Sequence, residues 1–245
     1  MCFKRKAILM IHGFVGGTYD FGLLPNELEL IRNFDVFTFT LPGHENLIVK
    51  DVKYTDWIKS AEEQIEMLIN NHYKTIYVIG HSMGGVLATH LACKYKQVKK
   101  LVLASPAFRY FYFKDGKVNI KGFNETIKNI PDMFKNMGTE KVLERIAKTP
   151  IPTMLEFTKL INTEEGKIKE VNCPVIAIRG TEDKVVPIES VEYIYNNLNT
   201  KTNILYNIKD VTHDCFTKKR NEEINKIIIS FLKKKPLKKK EIINI

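Results

Sequence analysis

The sequence predicts an α/β protein built on a mostly parallel central sheet flanked by helices. Short, nearly continuous apolar runs recur along the chain, as strands buried on both faces require. Between them lie longer segments whose apolar residues fall at helical spacing. Regular alternation of the two is solved most naturally by right-handed crossovers into a parallel sheet. The 245 residues, 44% hydrophobic and 27% charged, suffice for one such domain with a sizeable core.

The first run, "AILMI" at 7–11, contains no polar residue. "DVFTFT" at 35–40, "TIYVIG" at 75–80, "LVLAS" at 101–105 and "PVIAIRG" at 174–180 follow the same pattern. "NILYNI" at 203–208 adds a sixth strand. β-Branched and aromatic residues dominate these runs, which suits a pleated, buried surface. The first long helix is predicted over 56–72, where Trp57, Ala61, Ile65, Leu68 and Ile69 share one face. Further helices are predicted over 83–95, 188–198 and 221–234.

The alternation breaks between 106 and 170. "RYFYFKDGKVNI" predicts a hairpin turning at Asp115-Gly116, a favoured two-residue turn. Two or three short helices follow, punctuated by Pro131, Pro150 and Pro152. An insertion of this size above the strand ends reads as a cap or lid. Its apolar side chains, among them Phe108, Met133, Phe134, Met137, Met154 and Phe157, fit a lipophilic pocket roof or a small satellite core. The chain therefore divides into a core of residues 1–105 and 171–232, a cap over 106–170 and a lysine-rich tail over 233–245.

Charge bounds the partners. The formal net charge is +10, and its densest cluster is "KKKPLKKK" at 233–240. Beyond the last amphipathic segment, such a run reads as a solvated tail or as weak contact with an anionic surface. Helix-turn-helix, zinc-finger and aromatic RNA-binding signatures are absent, which argues against a nucleic-acid partner. The four cysteines, Cys2, Cys93, Cys173 and Cys215, show neither a C-x-x-C pair nor metal-ligand spacing, so no metal is expected. The apolar run near the start is too short for a signal-peptide core or a membrane span. The expected location is the cytoplasm, with reduced thiols.

The chemistry gathers around one serine. "GHSMG" at 80–84 satisfies G-x-S-x-G, with a strand before it and a helix after it. In that motif the nucleophile sits on a strained turn where only small neighbours avoid the backbone. The following helix directs its positive end toward developing negative charge. Ser82 needs a base, and the base needs an orienting acid. "RGTEDKVVP" follows the fifth strand and supplies Asp183, favoured over the adjacent Glu182. "IKDVTHDCF" follows the sixth strand and supplies His213. The order Ser, Asp, His along the chain, each beyond a strand end, is the one this arrangement requires. Of the other histidines, His72 and His90 fall on helices, His44 lies in "LPGHE", and His81 is expected to point away from the serine. Cys215 is read as a spectator. "IHGFVGG" at 11–17 follows the first strand, and its glycines admit a backbone N–H close to a reacting carbonyl. The oxyanion donors are thus assigned to the backbone N–H groups of Phe14 and Met83.

Together "HGF", "LPGH", "GHSMGG", "RGTEDKVVP" and "THD" resemble the α/β-hydrolase fold over the whole chain up to the lysine tail. More narrowly the chain is similar to compact bacterial carboxylesterases and monoacylglycerol lipases with a small inserted cap. "KTPIPTMLEFTKLI" at 148–161 resembles a helix of that cap. The resemblance implies hydrolysis of short to medium acyl esters through Ser82, His213 and Asp183. It further implies a small-molecule ester substrate, no metal or organic cofactor, and a monomer or homodimer. Two departures stand out: the first two strands of larger relatives are missing, and Thr212 stands where many relatives place glycine. Rival readings are an acyl-thioesterase, a carbon–carbon bond hydrolase, a cofactor-free haloperoxidase-like enzyme, or a binding module on the same scaffold.

Overall fold

The structure is a computed structural model; it describes residues 5–46, 48–109, 113–114, 117–118, 148–183, 185–217, 219–235 and 238–245. Its frame is a seven-stranded sheet of β1 (Lys6–Ile11), β2 (Phe34–Thr38), β3 (Ile76–His81), β4 (Val98–Ala104), β7 (Val175–Gly180), β8 (Asn203–Ile208) and β9 (Lys240–Asn244). The spatial order is β2-β1-β3-β4-β7-β8-β9, and every neighbouring pair is parallel.

Successive residues of each inner strand feed opposite faces. Leu9, Val78, Leu103 and Ala177 join one buried cluster, whereas Met10, Ile79, Val102 and Ile176 join the other. This explains the uninterrupted apolar runs, because both faces are covered. The first face lies under α2 (Tyr54–Asn70), α3 (Met83–Lys94), α4 (Ile151–Glu164) and α5 (Ile188–Asn197). The second lies under α1 (Leu24–Glu29) and α6 (Asn221–Lys233). The helices predicted from periodicity agree with α2, α3, α5 and α6 to within two residues at each end.

Chain direction across the sheet reverses once. β2 lies on one side of β1, and β3 on the other, with Ile11 of β1 opposite Gly80 of β3. The carboxyl ends of two strands at such a switch point leave a crevice where ligands bind in open α/β sheets. "IHGFVGG" and "GHSMG" leave the sheet there.

The insertion is described in part. Strands β5 (Phe113–Lys114) and β6 (Lys117–Val118) pair antiparallel, as the predicted hairpin requires. Its turn, and Met133, Phe134 and Met137, lie outside the described residues. Phe108, Met154 and Phe157 are buried in the main core cluster, so this part of the insertion is continuous with the sheet's own core. Phe108 is fully enclosed and serves packing, which removes it from the expected pocket roof.

The segment expected to be a solvated lysine tail differs from the expectation. Lys240–Asn244 pairs with β8 as the edge strand, with Leu205 opposite Ile242. "EIINI" carries the signal, a short β-branched stretch that the lysines around it obscure. Lys100 of β4 anchors this end of the molecule: its buried ammonium donates to the carbonyls of Phe231, Leu232 and Lys234. Those carbonyls close α6, where a cation meets both the orphan acceptors and the dipole.

Candidate active site

The glycines around Ser82 are set by close approach. A Cβ on Gly84 would run into the carbonyl oxygens of Ile11 and His12, and one on Gly80 into the backbone of Gly84 and Gly85. A Cβ on Gly85 would lie 2.8 Å from Pro106 Cβ, and one on Gly13 would lie 3.0 Å from Ser82 Cβ. Strand β3, helix α3 and the loop after β1 are thus pressed together at the serine. Ser82 itself has φ 54° and ψ −119°, a conformation costing a non-glycine residue about 1–3 kcal/mol. Its N–H donates to the Ala104 carbonyl, and its carbonyl accepts from Gly85 and Ala107. This backbone grip holds the strain.

Asp183 and His213 meet beyond the ends of the adjacent strands β7 and β8. The two loops are zipped together: Thr181 N–H donates to the Ile208 carbonyl and Glu182 N–H to the Val211 carbonyl. His213 Nδ1 lies 3.0 Å from Asp183 Oδ2. Asp183 Oδ1 accepts the N–H groups of Val185 and Val186, each at 2.9 Å. Burial alone would push this carboxyl up. The His213 charge and hydrogen bond, the Val186 N–H and the Ser105 hydroxyl outweigh it and hold the group below the ordinary carboxylate range. Its neighbour Glu182 is exposed and makes no such contacts among the described residues. The geometry separates the two acids that stood side by side in the sequence.

The loop after β1 is shaped by three groups. His12 Nδ1–H donates to the Gly13 carbonyl, and its Nε2 accepts the Leu41 N–H at 3.0 Å. His44 Nδ1–H donates to the Pro42 carbonyl, and its Nε2 accepts the Val15 N–H at 3.2 Å. Both rings are therefore neutral; desolvation drives His44 down to about 4. Asp20 accepts the N–H groups of Gly13 and Gly17. The Phe14 and Met83 N–H groups, by contrast, meet no acceptor among the described residues.

Helix α4 of the insertion closes over this loop. Phe157 stacks on Phe14, whose ring also meets Trp57 edge-on. His81, next to Ser82 in the chain, is engaged at one nitrogen: its Nε2 lies 3.0 Å from the His213 carbonyl, while its buried Nδ1 makes no hydrogen bond among the described residues. Cys215 is buried against Ser105, and burial raises its thiol to about 12, which leaves it inert as a nucleophile. Sequence reading missed Asp20, Ser105 and the bracing parts of His12 and His44. His12, His44 and Ser105 find partners 29 to 78 residues away on other loops, beyond any local pattern, whereas Asp20 holds Gly13 and Gly17 of its own loop. Among the described residues no His/Cys/Asp/Glu group is placed to hold a metal ion, and no helix is long and apolar enough to cross a membrane.

Comparison with known proteins gives the family and the fold. A model of the family described as Hydrolase_4, serine aminopeptidase, S33, matches residues 4–220. A carboxylesterase of Bacillus subtilis (strain 168) is 25% identical over 235 residues, covering 94% of this chain and 93% of that protein. A thermostable monoacylglycerol lipase of Bacillus sp. (strain H-257) is 24% identical over 209 residues, covering 84% and 82%. Among solved structures, one reported for the metagenome-derived lipolytic enzymes LipS and LipT superposes with a TM-score of 0.76. The sequence identity there is 20%, and 95% of each chain is covered.

Proposed function

The chain belongs to the Hydrolase_4 (serine aminopeptidase, S33) family of α/β hydrolases, and on that premise we propose that it is a serine esterase cleaving short to medium acyl esters. It is a hydrolase of the esterase/lipase type, and its distant relatives include a carboxylesterase and a monoacylglycerol lipase. One observation carries the finer reading: a buried carboxylate orients an imidazole beyond the same sheet edge that presents a strained serine.

In the proposed reaction Ser82 Oγ attacks the ester carbonyl while His213 takes its proton. Asp183 holds the imidazole in the tautomer whose Nδ1 carries hydrogen and stabilises the imidazolium that forms. The N–H groups of Phe14 and Met83 meet the developing oxyanion, and α3 adds the positive end of its dipole. Collapse of the tetrahedral intermediate returns the proton to the alcohol. Water, activated by the same imidazole, then releases the acid from the acyl-enzyme. The half-buried Phe14 ring beside the proposed oxyanion donor offers apolar surface to an acyl chain, and each methylene buried there gains up to about 0.8 kcal/mol until the space is full.

The experiment is a panel of p-nitrophenyl esters from acetate to palmitate, with monoacylglycerols and an aminoacyl p-nitroanilide alongside. Ester specificity should rise from acetate, peak between about C4 and C10 and fall for palmitate. A fluorophosphonate should label Ser82. Label on another residue, or faster turnover of the anilide than of every ester, would overturn the proposal.

A further inference from the structure

His81 occupies the variable position before the serine in "GHSMG" and ends strand β3. Its side chain is buried on the sheet face opposite α3. Nε2–H donates to the His213 carbonyl at 3.0 Å, and the two rings lie 5.0 Å apart between centroids. Phe216 closes the ring from one edge. Nδ1 faces Asp20 Oδ2 at 3.6 Å, within ion-pair reach but longer than a hydrogen bond. Asp20 in turn accepts from Gly13 and Gly17 of the loop after β1.

A second Asp–His pair therefore lies beside the Asp183–His213 pair, and it touches three separate pieces of the site. Its carboxylate holds the loop carrying the Phe14 N–H, its imidazole adjoins Ser82 in the chain, and its Nε2 holds the backbone of His213. The titratable groups around His81 are Asp20, His12, His213 and Asp214. Burial opposes charging of His81, but the Asp20 carboxylate, the His213 carbonyl and Asp214 outweigh it and raise the imidazole. Burial likewise opposes ionisation of Asp20, and His81 outweighs it.

We propose that His81 is a positioning residue: with Asp20 it binds the His213 loop and the oxyanion loop to the nucleophile turn, so that base and oxyanion donors keep register with Ser82. This rests on the serine-esterase reading. Glutamine can place an amide N–H near the position of Nε2, whereas phenylalanine keeps the ring volume without a donor. His81→Phe should lower kcat for p-nitrophenyl butyrate by about tenfold or more, with KM changed less than about threefold. His81→Gln should recover most of that kcat. Recovery by His81→Gln, with KM little changed in both variants, ties the loss to the missing donor at the His213 carbonyl. A structural role alone would give no such recovery of kcat by the returned donor.

If His81→Phe fails to fold, Asp20→Asn combined with His81→Phe removes the half-buried carboxylate left without its imidazole and carries the same test. Folded His81→Phe enzyme with kcat within twofold of the parent, or His81→Gln no faster than His81→Phe, overturns the proposal. Undiminished ester turnover by Ser82→Ala would instead remove the underlying reading. Loss of turnover in Ser82→Ala beside normal His81→Phe removes only the positioning role.

Discussion

Phe157 of helix α4 lies on Phe14 of the loop after β1, ring centroids 5.0 Å apart and planes 21° from parallel. The insertion is thereby fastened to the residue whose N–H is proposed to receive the oxyanion. Phe157→Ala removes an aromatic contact and most of a side chain only 5% exposed. Thermal or urea unfolding should show a loss of about 3 kcal/mol, and kcat/KM on p-nitrophenyl butyrate should fall with it. Phe157→Leu should restore much of the stability. Retained activity in a folded Phe157→Ala enzyme would show that the stack does not set the Phe14 backbone.

Asp183 and Glu182 make a sharper test than either alone. Asp183→Asn keeps size but favours the wrong imidazole tautomer, a change costing about four orders of magnitude in the protease example. Glu182→Gln, on an exposed side chain, should stay within about twofold of the parent. Steady-state kinetics of the two variants decides, and the reverse ranking would move the acid by one residue.

His44 makes stability fall in acid. Its folded value of about 4 lies below the unfolded 6.5, so the unfolded chain binds the proton first. The contribution is complete above about pH 6.5 and is lost as pH falls toward 4, amounting to at most about 3 kcal/mol. Urea titrations from pH 7 to 4 should show this slope in the parent and a shallower one in His44→Gln.

His90 acts with the opposite sign. Its Nδ1 meets Glu164 at 2.9 Å and its Nε2 meets Glu62 at 2.7 Å. Burial lowers the imidazole, but Glu164 and Glu62 outweigh it and raise the group. Its stabilisation is full below the unfolded value and is lost as pH rises through the raised folded one. Because the three residues join α3, α4 and α2, amide exchange in α4 should speed up over that rise. The acceleration should be absent from His90→Gln. An α4 exchange rate independent of pH, after correction for intrinsic exchange, would contradict this.

Much of the fold was readable because parallel strands advertise themselves. "AILMI" and "PVIAIRG" are covered on both faces and so lack polar interruptions. The order Ser82, Asp183, His213 was readable for a related reason: each follows such a run. Part of what escaped the sequence depends on contacts between distant loops. Ser105 reads as a strand terminus until Asp183 is folded against it, whereas Asp20 holds Gly13 and Gly17 of its own loop, a short contact that no periodic pattern marks. β9 escaped for a different reason, since an edge strand needs only one covered face and its lysine-rich approach resembles a solvated chain. His44 and His81 were weighed as bases; bracing the backbone is a use of imidazole that composition cannot distinguish.

The direction in which the sheet grows has a consequence for the order of events as the chain is made. From β3 onward, every new strand of the main sheet is laid on the same flank of the one before it, so each finds a finished template. Asp183 arrives with two of its backbone donors immediately behind it, at Val185 and Val186, but its imidazole follows 30 residues later. In that interval a carboxylate destined for burial has no counter-charge, and its loop has nothing to zip against until β8 is in place. Ester turnover is therefore a late milestone. It reports that the β8 edge has closed, and a refolding time course followed by activity should lag one followed by the fluorescence of Trp57, which lies on α2 against Phe14 and His44 of the early loops.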